Sequence, residues 1–425
     1  MIGGALIGLG LADVESAAAD NFVWFCDLIG STIFIGALKM LVAPLIFFSI
    51  LSGITSLPNE GALWDIGWRT FAYYFATTSI AVGIGLFFVL TIQPGMKGPR
   101  DELRAKWPEH EKQIENEFAG KEETIEAARS KTPGELIKAN LKQVITNPFL
   151  ALTTSNSLGI IFFAILLGIA LILLKEQARP MIDVITSANA AIMMITGWIM
   201  RLAPLFIFCL IVALAAKQGV DAFKALFWFV VTVIIAIAAH NVVLLVILRT
   251  VGRRKVTDFA RGIRRAWAVA FATRSSAATL PVTMDCLENN LKVPKRVTDF
   301  VIPIGATLNM DGTALYEGVA IIFLIQLYGG MPGAMIELSP VLTGVIFLTA
   351  VLASVGAAAI PDAGLITMVL VANAVGLDVK YIGMLFAIDA FLDMFRTSTN
   401  VVGDSIGAVV IDRLTSRRPP PAPAS

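Results

Sequence analysis

Charge is scarce in this chain. Only 15% of its 425 residues are Asp, Glu, Lys or Arg, against about 25% in an ordinary soluble protein. Histidine occurs twice, at His110 and His240, and neither has a neighbour at metal-ligand spacing. The three cysteines, Cys26, Cys209 and Cys286, lie far apart and form no CxxC pair. That argues against a disulfide framework and a thiolate zinc site, and leaves them as small buried side chains. HExxH, GxSxG and P-loop patterns are missing, and with them the common hydrolase and nucleotide chemistries. A net charge of +1 says nothing about a polyanionic partner, and the basic residues matter through their placement. The chain is not expected to be an enzyme, to bind nucleic acid or to need an organic cofactor.

What it has instead is apolar length. Hydrophobic residues make up 56% of the sequence and its mean hydropathy is +0.77. Runs long enough for a hydrocarbon core of about 30 Å fall near 2–18, 23–54, 66–95, 140–174, 182–216 and 222–249. Residues 1–18 lack a basic leader and read as a first membrane helix rather than a cleaved signal. Residues 96–135 alternate Lys/Arg with Asp/Glu and read as an exposed loop on the outer side. The proline-rich end, 414–425, reads as a disordered tail.

Past Arg249 the apolar pattern is interrupted. Segments near 257–290 and 338–376 are each broken at the middle, at ThrArgSerSerAlaAlaThrLeuPro (273–281) and AlaAlaAlaIlePro (357–361). Each predicts a re-entrant hairpin, a form of backbone tolerated at membrane depth only under cover of protein or water. Helices are expected near 297–328, opened at AsnMetAspGlyThr (309–313), and near 379–412. Basic clusters at 175–179, 249–255, 261–265, 292–296 and 413–418 all fall on one side when 96–135 is outside. Both termini are then cytoplasmic in a multi-pass protein of the plasma membrane, a bacterial or archaeal inner membrane.

The last helix carries the densest signal. Asp389, Asp393, Arg396, Asn400 and Asp404 recur at i, i+4, i+7, i+11 and i+15, an arc of roughly 80° on one helix face. Each ionisable group at membrane depth costs about 2.5–3.5 kcal/mol even on a lenient scale, so the stripe must face protein, water, ions or a charged ligand. Arg396 offers a planar fork for a carboxylate, and Asp393 one turn away can accept from an ammonium. Together they would read both ends of an acidic amino acid. Ser275 and Ser276 at the first hairpin tip are suited to a second carboxylate. Asp311 in the opened turn, with Asn400 and Asp404, supplies hard oxygens for Na⁺. A divalent metal is the runner-up ligand, and His240 reads as a satisfied packing residue.

Three stretches carry a resemblance. ThrArgSerSerAlaAlaThrLeuProValThr (273–283), AsnMetAspGlyThrAlaLeuTyr (309–316) and AspMetPheArgThrSerThrAsnValValGlyAsp (393–404) resemble the signatures of the glutamate/aspartate:sodium symporters. LysMetLeuValAlaProLeuIlePhePheSer (39–49) is similar to that family's second helix. The resemblance implies an all-α membrane protein with eight transmembrane helices, two re-entrant hairpins and an elevator mechanism in a homotrimer. Scaffold helices 1–2 would occupy 1–65, and transport-domain helix 3 would occupy 66–95. Scaffold helices 4–5 would span 136–216, and the rest of the transport domain 217–413.

The same resemblance implies residue roles. Arg396 would bind a side-chain carboxylate, Asp393 the amino group, and Ser276 with Asn400 the α-carboxylate, near Thr313 and Thr397. Backbone at Arg274, Ile360 and Gly364 would complete the site. One Na⁺ would sit among Gly305, Asn309, Asn400 and Asp404, and a second near Thr307, Met310, Ser354 and Ala357. A third would use Tyr74, Thr77, Thr78, Asn309 and Asp311. Glu317 occupies the position of a glutamate that animal members link to H⁺ cotransport and K⁺ countertransport. Two departures stand out at the second hairpin: Asp362 replaces a usual Gly or Gln, and Ala359 a usual Gly. The expected function is Na⁺-coupled uptake of L-aspartate or L-glutamate. The alternatives are a Na⁺- or H⁺-coupled C4-dicarboxylate or neutral amino acid transporter and, more remotely, an anion channel.

Overall fold

A computed structural model describes residues 17–55, 60–97, 144–154, 156–218, 226–331, 336–355 and 363–416, with Ile7 and Lys142 in isolation. Most of the first span (2–18), nearly all of the loop at 96–135, the second hairpin tip and the tail beyond 416 lie outside them. The described residues contain no strand. The helices are α1 (Ala17–Asp27), α2 (Gly36–Thr55), α3 (Glu60–Ile92), α4 (Pro148–Thr153), α5 (Ser157–Leu174), α6 (Arg179–Gln218) and α7 (Phe227–Thr250). They continue with α8 (Val256–Thr273), α9 (Ser276–Asp285), α10 (Lys295–Leu308), α11 (Asp311–Tyr328), α12 (Pro340–Val355), α13 (Ala363–Ala374) and α14 (Phe386–Thr415).

Boundaries differ from expectation in two places. The sequence suggests a span starting near 23. Helix instead runs from Ala17 through a π-helical stretch, Leu28–Ile35, to Thr55. No Pro or Gly stands between Ala17 and Gly30 to stop it. The last helix, expected from 379, opens as a 3₁₀ segment, Val379–Leu385, and becomes α-helical only at Phe386. α6 is 40 residues long, about 60 Å, twice the hydrocarbon thickness of about 30 Å.

The interrupted elements match the sequence pattern. α8 ends where Arg274 takes a left-handed conformation, φ 54°, and Ser275 then caps α9 by accepting from the Ala278 amide. The first hairpin is thus α8, a sharp reversal, and α9. α10 stops at Asn309 and α11 begins at Asp311, so one membrane-length helix is opened in the middle. α12 and α13 pack on each other as the second hairpin.

Two apolar cores flank the opening. One joins α3, α7, α11, α12, α13 and the start of α14. The other joins α2, α5, α6, α9, α10 and the end of α14. α14 contacts α3, α7, α8, α9, α10 and α11, which brings its polar stripe against both interrupted elements.

Candidate functional site

The stripe on α14 is buried along its length. Asp389, Asp393, Arg396, Thr397, Asn400 and Asp404 are each no more than 5% exposed. Arg396, at 0%, is among the largest fully buried side chains. Its Nη1 lies 2.9 Å from Asp389 Oδ1, and its Nη2 lies 3.1 Å from both Asp389 Oδ2 and Asp393 Oδ1. The guanidinium carbon stands 4.0 Å from the centre of the Tyr316 ring on α11, a cation–π contact in a desolvated place. Two carboxylates and an aromatic face thus hold the fork in one orientation. Arg396 Nε has no hydrogen-bond partner among the described residues.

The second hairpin meets this fork. A Cβ added to Gly364 would fall 2.9 Å from Arg396 Nη1 and 3.3 Å from Thr313 Cγ2, so backbone from α13 faces the arginine at van der Waals range. Thr397 donates to Asp393 Oδ1 at 3.1 Å. Asn400 accepts from the Gly312 amide at 2.7 Å and points its Nδ2 at Thr313 Oγ1, 3.4 Å, and Met310 Sδ, 3.6 Å. Ser276 is buried at the first turn of α9. The Ser275 oxygen caps α9 by accepting from the Ala278 amide, which leaves the hydroxyl proton to be donated elsewhere, so both serines stay at the hairpin reversal.

One turn further along α14, hard oxygens replace the cation. Asp404 Oδ1 accepts from Asn309 Nδ2 at 2.9 Å, and Asn309 Oδ1 accepts from Thr77 at 3.1 Å. Thr78 donates to Asp311 Oδ1 at 2.7 Å. Tyr74 donates to the Val301 carbonyl at 2.9 Å. The opened turn between α10 and α11, α3 and α14 therefore share one polar core. Gly305 is required there: a methyl group would strike the Tyr74 hydroxyl and lie 2.5 Å from Asp404 Oδ1. Thr307 and Ser354, both buried, donate to carbonyls of their own helices at 3.0 and 2.9 Å, which leaves their lone pairs to accept or ligate. Ala357, Ile360, Ala359 and Asp362 lie outside the described residues.

Glu317, fully buried on α11, accepts from Thr367 on the second hairpin. It sits one turn below Thr313 rather than among the Asp311–Asp404 oxygens.

Three side chains join the site without having been assigned a role in it. Asp389 belongs to the stripe, yet its contact with Arg396 depends on a rotamer. Tyr316 supplies the aromatic face. His240 on α7 is 2.9 Å from Asp311 Oδ2, both side chains being 0% exposed. The imidazole thus braces the carboxyl that Thr78 holds from the other side. The packing histidine of the sequence reading is paired through Nε2 while its buried Nδ1 has no hydrogen-bond partner among the described residues, and the Asp311 contact makes it part of the site. Its only prior signal was being a lone imidazole in an apolar run.

These features define a class: a helical membrane protein with an opened helix, a fully buried arginine and a buried cluster of carboxyl, amide and hydroxyl oxygens. The family model described as Sodium:dicarboxylate symporter family matches residues 1–414, and the chain belongs to that family. It is 39% identical over 417 residues to excitatory amino acid transporter 2 of Homo sapiens, covering 89% of this chain and 71% of that protein. An excitatory amino acid transporter of Caenorhabditis elegans is 37% identical over 412 residues, 88% of this chain and 78% of its own length. A putative sodium-dependent excitatory amino acid transporter of the same worm is 34% identical over 456 residues, 97% and 88% of the two chains.

Proposed function

We propose that the protein is a secondary active symporter that takes up L-aspartate or L-glutamate together with Na⁺. The observation that carries this reading is Arg396: a fully buried guanidinium, held open by Asp389, Asp393 and Tyr316, about two turns of α14 from the oxygen-rich pocket at Asp404. A side-chain carboxylate engages the Arg396 fork and an ammonium engages Asp393. The α-carboxylate meets Ser276 and Asn400, with Thr313, Thr397 and the backbone of Arg274, Ile360 and Gly364 closing around it. Na⁺ is cargo, held by Asp404, Asn309, Asn400 and Gly305, by Asp311, Thr77, Thr78 and Tyr74, and by Thr307, Met310, Ser354 and Ala357. The hydroxyl, amide and carboxyl oxygens among these residues are the hard donors that suit a dehydrated alkali ion.

The wider proposal is eight transmembrane helices and two hairpins in a plasma-membrane homotrimer with both termini cytoplasmic. Residues 1–65 and 136–216 form a scaffold, and 66–95 with 217–413 slide across the bilayer as an elevator. Glu317, held by Thr367 of the second hairpin, is suited to carry a proton between the two positions and to admit K⁺ on the return. A dicarboxylate without an amine is the second reading, and Asp393 disfavours it because its charge would face that ligand unpaired.

Proteoliposomes with an inward Na⁺ gradient test this directly. Radiolabelled L-aspartate should accumulate with Na⁺ and not without it, and succinate should compete poorly. Accumulation driven by a proton gradient alone would overturn the Na⁺ coupling. Succinate competing as well as aspartate would overturn the amino acid assignment.

A further inference from the structure

One buried acid takes no part in the site. Asp299, on the second turn of α10, is 1% exposed. Its Oδ2 accepts from Asn189 Nδ2 on α6 at 3.2 Å, and Asn189 Oδ1 accepts in turn from Ser49 Oγ on α2 at 3.3 Å. Ser52, buried one turn along α2, lies near this carboxyl. The Ser49 oxygen lies 3.8 Å from Met284 Sδ on α9. Asn189 and Ser49 are 0% exposed, and Asp299 Oδ1 has no partner among the described residues.

Packing alone does not account for this cluster. It lies in an otherwise apolar core that includes Ile46, Ile50, Ile185, Val297 and Val301. A carboxyl there with an acceptor left unfilled is unfavourable, whereas an apolar side chain of similar size is commonly neutral or stabilising. Nearby charges, Lys295 on α10 and Glu288 at the end of the first hairpin, lie on the Asp299 side. The partners divide cleanly. Ser49, Ser52 and Asn189 stand on α2 and α6, while Asp299 and Met284 stand on α10 and α9.

We infer that Asp299 and Asn189 are a positioning pair for translocation, a hydrogen-bonded contact that holds the moving unit against the scaffold and breaks in each crossing. This inference rests on the elevator reading, since only sliding of α9–α10 past α2–α6 would part the two residues. An acceptor left unfilled keeps the contact weak enough to open, and its directionality gives the sliding surface one preferred stop. Neither side chain touches the Arg396 fork or the Asp311–Asp404 oxygens through any hydrogen bond described above, so solute and ion binding should survive their loss.

The test uses purified full-length protein in two measurements. In the first, Asn189→Leu is compared with Asp299→Asn, which keeps an acceptor for the Asn189 amide. Asn189→Leu should change the maximal rate of Na⁺-driven aspartate uptake about 3- to 10-fold, the effect of one hydrogen bond. Its equilibrium affinity for aspartate should stay within about 2-fold, and Asp299→Asn should stay nearer the parent in rate. In the second, Asn189→Cys and Asp299→Cys are combined in a protein whose Cys26, Cys209 and Cys286 are replaced by Ser. A mercuric ion should bridge the pair, arrest uptake reversibly on adding dithiothreitol, and leave Na⁺-dependent aspartate binding intact.

Failure to bridge, uptake that continues at full rate in the bridged protein, or equal losses of rate and affinity in Asn189→Leu would each overturn the pair. A parent protein that binds no aspartate would overturn the proposed function and the pair with it. Aspartate binding with uptake insensitive to the bridge would overturn the pair alone.

Discussion

The helix run Lys295–Tyr328 and the other membrane-length runs obey opposite logics. In its most apolar stretch, 94% of the residues are buried inside the protein, against 33–39% for Trp64–Lys97, Gly159–Ile195 and Phe227–Thr250. Yet the buried run is the one that carries Asp299, Asn309, Asp311, Thr313 and Glu317. The others expose Trp64, Trp68, Phe75, Phe162 and Val242. In water, hydrophobic side chains mark the interior. In a bilayer lipid tails are as apolar as leucine, so burial of apolar surface decides little and polarity marks the interior instead. Even the helices that look most like membrane anchors turn buried polar side chains, among them Thr77, Thr78 and His240, toward that interior.

The sharpest way to break that contrast is to remove the central cation. Arg396→Ala deletes two or more charge-assisted contacts to a carboxylate, each worth about 1.5–3 kcal/mol. Affinity for aspartate should therefore fall at least about 100-fold. Asp389 and Asp393 are then left facing each other without their counter-ion, so Arg396→Lys, which keeps the charge and loses the fork, is the needed companion. It should fold and still bind aspartate more weakly than the parent. Isothermal titration at saturating Na⁺ is the readout, and unchanged affinity in both variants would remove Arg396 from the substrate site. Asp404→Asn comes next. It keeps an acceptor for Asn309 but withdraws a full charge from the ion pocket, so half-saturation by Na⁺ should rise about 30- to 100-fold. Aspartate-binding titrations across Na⁺ concentrations check this, and an unshifted Na⁺ curve would remove Asp404 from the ion set.

What the sequence showed and what it hid divide along the same line. The stripe Asp389–Asp404, the reversal at Arg274–Ser275 and the opening at Asn309–Met310 were legible because each violates a local rule: charge in lipid, or a break within an apolar run. Contacts between helices distant in sequence were not legible. Asp389 was visible as a stripe member, but its two-point grip on Arg396 needs both rotamers. Ser275 and Ser276 are chemically alike, and only the structure shows that Ser275 caps α9 while Ser276 lies in its first turn. His240 is isolated in its run and becomes a partner of Asp311 because α7 and α11 pack side by side. Asn189 and Asp299, 110 residues apart, left no local trace of their pairing.

His240 gives the next smaller effect. Its Nε2 fixes Asp311 Oδ2 while Thr78 fixes Oδ1, the arrangement in which an outer partner orients an ion ligand. His240→Gln should raise Na⁺ half-saturation about 10-fold, the lower end of such effects, because Thr78 still holds the carboxylate. Maximal aspartate uptake at saturating Na⁺ should be retained. Loss of uptake at every Na⁺ concentration would give His240 a role beyond orienting Asp311.

The finest test lies within a single helix. Thr78 and Phe75 are three residues apart on α3, the first 1% exposed and bonded to Asp311 at 2.7 Å, the second 51% exposed. Thr78→Val keeps the shape and removes the hydroxyl, leaving a buried carboxylate oxygen short of a donor. A cost of about 1–3 kcal/mol follows when a buried acceptor loses its donor, and part of it should surface as a several-fold weaker response to Na⁺. Phe75→Leu removes more atoms than Thr78→Val, yet removes them from a lipid-facing surface where another apolar side chain serves equally well. Uptake and its Na⁺ dependence should not change. If the phenylalanine substitution shifted the Na⁺ curve as far as the threonine one, side-chain size rather than polarity would be setting the interior of α3. The division between lipid-facing and site-facing positions would then have to be redrawn from that helix outward.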